Sequence, residues 1–169
     1  MTNNFVQGKA EILKTFSVKN YKTWTGRAGV GAEATLYKDG KKFGWVIDEG
    51  NGGEVSLNVT GENFRITTEF LETLPRYTFN DYWKDQYKED WDGEGGSKLE
   101  SWQAFRFADV MLNVAEEEKH LRKLCKTKLV VSVEGDSDFG VFDAKWPKDT
   151  YAQLQIMSQL TKQLQPKVI

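Results

Sequence analysis

From Ala32 to Thr60 apolar and polar residues alternate, and turn chemistry breaks the alternation twice. Ala34 and Leu36 are set against Glu33, Thr35 and Tyr37. Phe43, Trp45 and Ile47 share a face of the next segment, and Val55, Leu57 and Val59 alternate with Glu54, Ser56, Asn58 and Thr60. A period of about two residues buries one side of a strand and wets the other, so the stretch predicts a three-stranded antiparallel meander. Asp39-Gly40 is a two-residue loop suited to the left-handed dihedrals of a type I′ hairpin, with Lys38, Lys41 and Lys42 making its tip basic. The second turn, Gly50-Asn51-Gly52-Gly53, calls for positive φ or lets another backbone come close.

Around the meander the pattern is less regular. Met1 to Gly8 reads as a loose end, and Glu11 to Val18, with Ile12, Phe16 and Val18 in phase, as a strand at the sheet edge where Lys14 is tolerated. Lys22 to Gly31 reads as a flexible connection. Its glycines do not have the spacing of a nucleotide-binding loop, and it leads into a strand rather than a helix N-terminus.

After Thr60 the period changes to that of helices. Thr67 to Leu74 predicts a short helix stopped by Pro75, with its start left open as far back as Glu62. Phe79, Trp83, Tyr87 and Trp91 recur every four residues with Tyr82 alongside, one aromatic stripe among acidic and basic neighbours. The plain reading of such a stripe is the side of a helix that packs on the sheet; the alternatives are a partner-binding face and, least favoured beside so many carboxylates, a base-stacking platform. Ser97-x-x-Glu100 reads as a capping box opening the longest helix, to about Lys126, with Leu99, Trp102, Phe105, Met111, Leu112, Ala115, Leu121 and Leu124 on its buried side and Glu118 paired to Arg122. Leu129 to Val133 and Phe139 to Phe142 predict a second hairpin across Gly135 to Asp138, and a last helix follows from Asp149 to Pro166.

These elements predict an α+β fold in one domain, residues 1–169: an antiparallel sheet of N-terminal strand, meander and later hairpin, with helices packed on one face. The 169 residues suffice for a substantial core, and 6 Trp, 6 Tyr and 10 Phe must dominate it. A net charge of −2 gives no overall pull toward nucleic acid, and one cysteine allows neither an internal disulfide nor a cysteine-built zinc site. No apolar run approaches the roughly 20 residues of a membrane span and no signal-peptide layout opens the chain, so a cytoplasmic location is expected.

Candidate chemistry is sparse. Asp90, Asp92 and Glu94 followed by Gly95 match the first half of a calcium loop, while Ser97 and Ser101 stand where an apolar residue and a bidentate glutamate belong. A Ca or Mg binding module, or a metal-dependent enzyme using these carboxylates, with Asp136 and Asp138 as further donors, is the alternative reading. An ordinary acidic loop is the plain one. His120 has Glu116 four residues before it but no further partner for catalysis, and Cys125 reads as an inert member of a buried stripe.

The run Leu36-Tyr37-Lys38-Asp39-Gly40-Lys41-Lys42 together with Val46-Ile47-Asp48-Glu49-Gly50-Asn51-Gly52-Gly53 resembles small uncharacterised proteins encoded by phages and mobile elements. The resemblance covers about thirty residues of turn chemistry and implies a compact accessory protein, often one that binds and blocks a host factor. Taken with the missing catalytic set, it leads to the expectation of a non-enzymatic protein-binding factor. Trp91, Asp92 and Glu94 with Trp83 and Tyr87 would form its partner surface: an aromatic anchor beside a charged rim.

Overall fold

A computed structural model of the chain describes residues 3–87, 89–91 and 93–126, and the backbone of 129–132 and 139–142. The chain forms two compact units, residues 1–117 and 118–169. The first holds helix α1 (Asn4–Thr15), strands β1 (Phe16–Thr25), β2 (Val30–Lys38), β3 (Lys41–Asp48) and β4 (Ser56–Val59), and helix α2 (Gly61–Glu72). It continues with β5 (Tyr77–Thr78), helix α3 (Phe79–Tyr87), β6 (Leu99–Glu100) and most of helix α4 (Ala104–Leu124). In the second, strands β7 (Leu129–Ser132) and β8 (Phe139–Phe142) pair antiparallel as the expected hairpin. Its turn, Gly135 to Asp138, and the helix expected over 149–166 lie outside the described residues.

The fold is α+β, as the pattern predicts. Four strands form one antiparallel sheet in the order β1-β2-β3-β4, with β1 at an edge; β5 pairs with β6 in a separate two-stranded ribbon. Among the described residues β7 and β8, expected as part of the main sheet, pair only with each other. The Asp39-Gly40 turn has φ of 49° and 74° at its two residues, both left-handed as a type I′ loop requires. Helix α2 starts earlier than Thr67: the Thr60 side chain accepts the Asn63 N–H and caps the helix from Gly61.

Several expectations are corrected. The segment expected to be a loose end is α1, capped by Asn3, whose side chain accepts the Val6 N–H. Phe5 and Ile12 in it are completely buried, so the edge strand begins only at Phe16 and runs on through Thr25, where a connection was expected. Its stripe was hidden because Gly8, the residue between those two contacts, reads as a breaker. In the fold its bare backbone is what lets the Trp102 indole lie against the helix, since a Cβ there would sit 2.5 Å from the ring. On β3, Val46 rather than Trp45 faces the core. Leu36 pairs with Gly44 but Tyr37 with Lys42, a bulge that leaves Phe43 as the extra residue and reverses the parity beyond it. Ser97 to Glu100 is turn and strand, not the first turn of a helix: Glu100 pairs with Tyr77, Leu99 is exposed, and α4 begins at Ala104. The reciprocal capping pair lies elsewhere, at the start of α3, where Asp81 accepts the Thr78 N–H and Thr78 Oγ1 accepts the Asp81 N–H. Finally, Cys125 is exposed rather than part of a buried stripe.

Helices α1, α2 and α4 supply the other side of the core. Phe16 is its hub: its ring meets Phe43 of β3, Phe70 of α2 and Phe107 of α4 edge-on, with centroids 5.0–5.5 Å apart. Phe5 forms a second centre, stacked on Trp102 at 4.9 Å and edge-on to Tyr77 and Tyr82. Edge-to-face and offset contacts of this kind add to the area that the rings bury.

Candidate functional site

Helix α3 and the loop after it carry the expected partner residues Trp83, Tyr87, Trp91 and Glu94 and the candidate metal ligands Asp90 and Glu94. The helix is held from below by α1. Asn3 Nδ2 donates to the Asp81 carbonyl at 3.0 Å, and Lys9 and Asp85 form an ion pair at 2.9 Å. Tyr82 turns inward to Phe5 and to Arg106. That leaves Phe79, Trp83 and Tyr87 on another side of the helix. They do not lie on the sheet, the plain expectation for the stripe, but gather round Trp91 as a cluster of their own: Phe79–Trp91 5.2 Å, Trp83–Trp91 4.7 Å and Trp83–Tyr87 4.0 Å between centroids.

Trp91 is the pin of the loop. Its backbone N–H donates to Asn80 Oδ1 at 2.7 Å and its indole Nε1 to the Glu94 carbonyl at 3.3 Å. A Cβ on Gly93 or Gly96 would come within 2.5 or 2.8 Å of the ring, so these glycines let the chain fold over it. With Thr78, Asn80 and Ser97 it lines an open recess of about 380 Å³. Trp91 thus takes the inward position, and the exposed aromatic of the stripe is Tyr87, at 54% exposure on top of Trp83. Glu89, Asp90 and Glu94 are exposed around it.

Of the proposed metal ligands, Asp90 binds Lys84 at 2.9 Å, and that hydrogen bond and charge hold its carboxyl below the usual range. Glu94 contributes its backbone carbonyl to Trp91, and Gly95 has the positive φ, 82°, of a sharp turn. Asp92, Asp136 and Asp138 lie outside the described residues, among which no three His, Cys, Asp or Glu are grouped to hold a metal ion. His120 is exposed on α4, and Arg122 pairs with Glu118 as the spacing predicts.

Sequence reasoning missed a second polar cluster, because its members come from five elements. On α4, Arg106, Asp109, Asn113 and Glu116 follow one another at three- or four-residue steps along one stripe. Arg106 lies flat on the Tyr82 ring at 3.6 Å, donates to Asp109 at 3.4 Å and is hydrogen-bonded to Tyr77; its Nε is buried without a partner. Asn113 reaches Gln86 of α3, and Glu116 bonds Tyr21 at the β1 bulge. Burial resists charge on Arg106, yet Tyr82, Tyr77 and Asp109 outweigh it and raise its pKa. Burial also raises the pKa of Asp109; Arg106 opposes this and Asp48 adds to it.

The rise at Asp109 has a consequence for stability. An acid whose pKa is higher folded than unfolded binds its proton more tightly in the native state. Its contribution to stability therefore falls as pH rises from the ordinary carboxyl value, 3.8, to the raised one. The stability of wild type minus that of Asp109→Asn should decline across that window and level off above it, as read from urea midpoints at a series of pH values. A difference that grows with pH there would mean that the Arg106 pair outweighs burial.

Compared with protein-family models, with curated proteins and with solved structures, the chain matches none. What the arrangement can do is therefore read from its own chemistry. Among the described residues no helix is long and apolar enough to cross a membrane.

Proposed function

We propose that the protein is a non-enzymatic binding factor that docks a basic segment of another protein on the ledge formed by α3 and the loop to Ser97, as a phage or mobile-element accessory protein would to block a host factor. The observation that carries this reading is Tyr87, half exposed and packed at a tilt against Trp83 on a helix none of whose residues is buried. An aromatic side chain already stiffened by a neighbouring ring loses little freedom when a partner covers it, which is why such residues concentrate binding energy. Glu89, Asp90 and Glu94 give the rim its sign and would steer a cationic partner, with affinity that weakens as salt is raised.

The roles within the site shift accordingly. Tyr87 and Trp83 form the contact, Glu94 belongs to the rim, and Trp91 acts by holding the loop in place. The reading is tested by affinity capture with the whole chain, comparing wild type, Tyr87→Ala and the double variant Glu89→Lys plus Glu94→Lys, each checked for an unchanged circular dichroism spectrum. A partner should be retained by wild type and lost by both variants, with Tyr87→Ala weakening it by about thirtyfold, the effect of a hot-spot residue. Variants that keep every partner of the wild type would place the interface elsewhere.

A further inference from the structure

The sheet has a second face, and its composition differs from that of the chain as a whole. Core residues Val18, Ala32, Ala34, Leu36 and Val46 all point to the helices. Alternation then places Lys19, Lys22 and Trp24 of β1, Glu33, Thr35 and Tyr37 of β2, and Lys42, Trp45 and Ile47 of β3 on the opposite side. The lysines and both tryptophans there are exposed. The acid among these strand residues is Glu33, bound to Lys22 at 2.8 Å. A chain of net charge −2 thus presents a locally cationic, aromatic surface.

We propose that this face binds single-stranded nucleic acid, with bases on Trp24, Tyr37 and Trp45 and phosphates at Lys19, Lys22 and Lys42. The inference is independent of the protein-binding ledge. Three features of the geometry support it. The rings meet the conditions for stacking: the Trp24 indole lies over the bare backbone of Gly31, where a Cβ would be 2.4 Å from it. Two ring faces are already occupied by ammonium groups, Lys42 at 4.1 Å from the Trp45 centroid and Lys19 at 5.2 Å from that of Tyr37. A nucleotide satisfies both partners of such a pair at once, its base replacing the ammonium on the ring and its phosphate receiving the lysine. An acidic peptide would take the lysines and leave the rings with nothing planar to stack on. The spacing selects the strandedness. Tyr37 and Trp45 stand on neighbouring strands two residues out of register. Strand separation and rise put them about 8 Å apart, more than twice the roughly 3.4 Å step of a duplex strand, so bases on both rings must be unstacked.

Titration of the full chain into fluorescently labelled oligonucleotides of about 15 residues, followed by anisotropy, tests this; the probes are single-stranded DNA, single-stranded RNA, the matched duplex and poly-glutamate. Single strands should bind at least about tenfold tighter than duplex or poly-glutamate. With three phosphate contacts, affinity should fall about twentyfold between roughly 50 and 200 mM salt. Trp45→Ala should cost about tenfold or more, and Lys42→Gln should weaken binding and reduce the salt slope by about 0.7. Tyr87→Ala, on the ledge, should bind as wild type does. No binding of single strands at low salt, equal binding of duplex or poly-glutamate, full affinity in Trp45→Ala, or loss of affinity in Tyr87→Ala would each overturn the proposal.

Discussion

Gly50→Ala should lower stability by about 3 kcal/mol or more, a large part of the margin of a domain this size. Two terms act together. Gly50 has φ of 66°, which costs an L residue on the order of 1 kcal/mol. The added Cβ would also lie 2.5 Å from the Gly31 nitrogen and 2.9 Å from its Cα, and both are backbone atoms of a sheet strand with no freedom to yield. The contact is part of an interlock between the β1–β2 and β3–β4 turns, in which the Ala28 N–H donates to the Gly50 carbonyl at 2.8 Å and Gly26 faces the same carbonyl. Gly40→Ala is the internal control. Its φ is similar, 74°, but nothing lies within 4 Å of the Cβ position, so only the dihedral cost of about 1 kcal/mol remains. Urea midpoints of the two variants measure the difference. Equal destabilisation would show that the turns do not interlock in solution.

Phe5→Ala should cost about 4 kcal/mol, the upper range of large-to-small core changes. The ring is completely buried and touches Tyr77, Tyr82 and Trp102, which belong to β5, α3 and the approach to α4. Those neighbours are fixed by bonds of their own, Trp102 to the Pro75 carbonyl at 3.1 Å and Tyr77 to Arg106, so they cannot collapse into the space. Phe5→Leu, which refills most of the volume, should recover more than half of the loss. A Phe5→Ala variant as stable as wild type would mean that α1 is not docked, as the sequence reading of a loose end had it. The same variant should disturb the ledge, because α1 carries the Lys9 and Asn3 contacts that hold α3.

The sequence by itself determined the elements whose cause is local. The Asp39-Gly40 turn follows from two residues that tolerate positive φ, and it fixes the register of β2 on β3 near the tip. The run Gly50 to Gly53 called for positive φ or a close backbone approach, and Gly50 has both. The aromatic period from Phe79 gave α3 as far as Tyr87, while Trp91, expected on the same stripe, lies in the loop. The Glu118–Arg122 pair needed only the helical repeat. The tertiary structure alone decided what depends on residues far along the chain. Gly8 is a contact point because Trp102 comes to rest on it, and Ser97 to Glu100 is not a helix start because Tyr77 offers Glu100 a strand partner. One extra residue at Phe43 exchanged the faces of β3, which turned Trp45 outward, where the Lys42 ammonium lies over its ring. The stripe from Arg106 to Glu116 is polar and helical in sequence, yet only packing against Tyr77, Tyr82 and Tyr21 makes it a connected, partly buried polar cluster. Dihedral preference and short-range hydrogen bonding act within a few residues and can be read along the chain. Burial and charge depend on the neighbours that other elements supply, and those are set only when the chain folds.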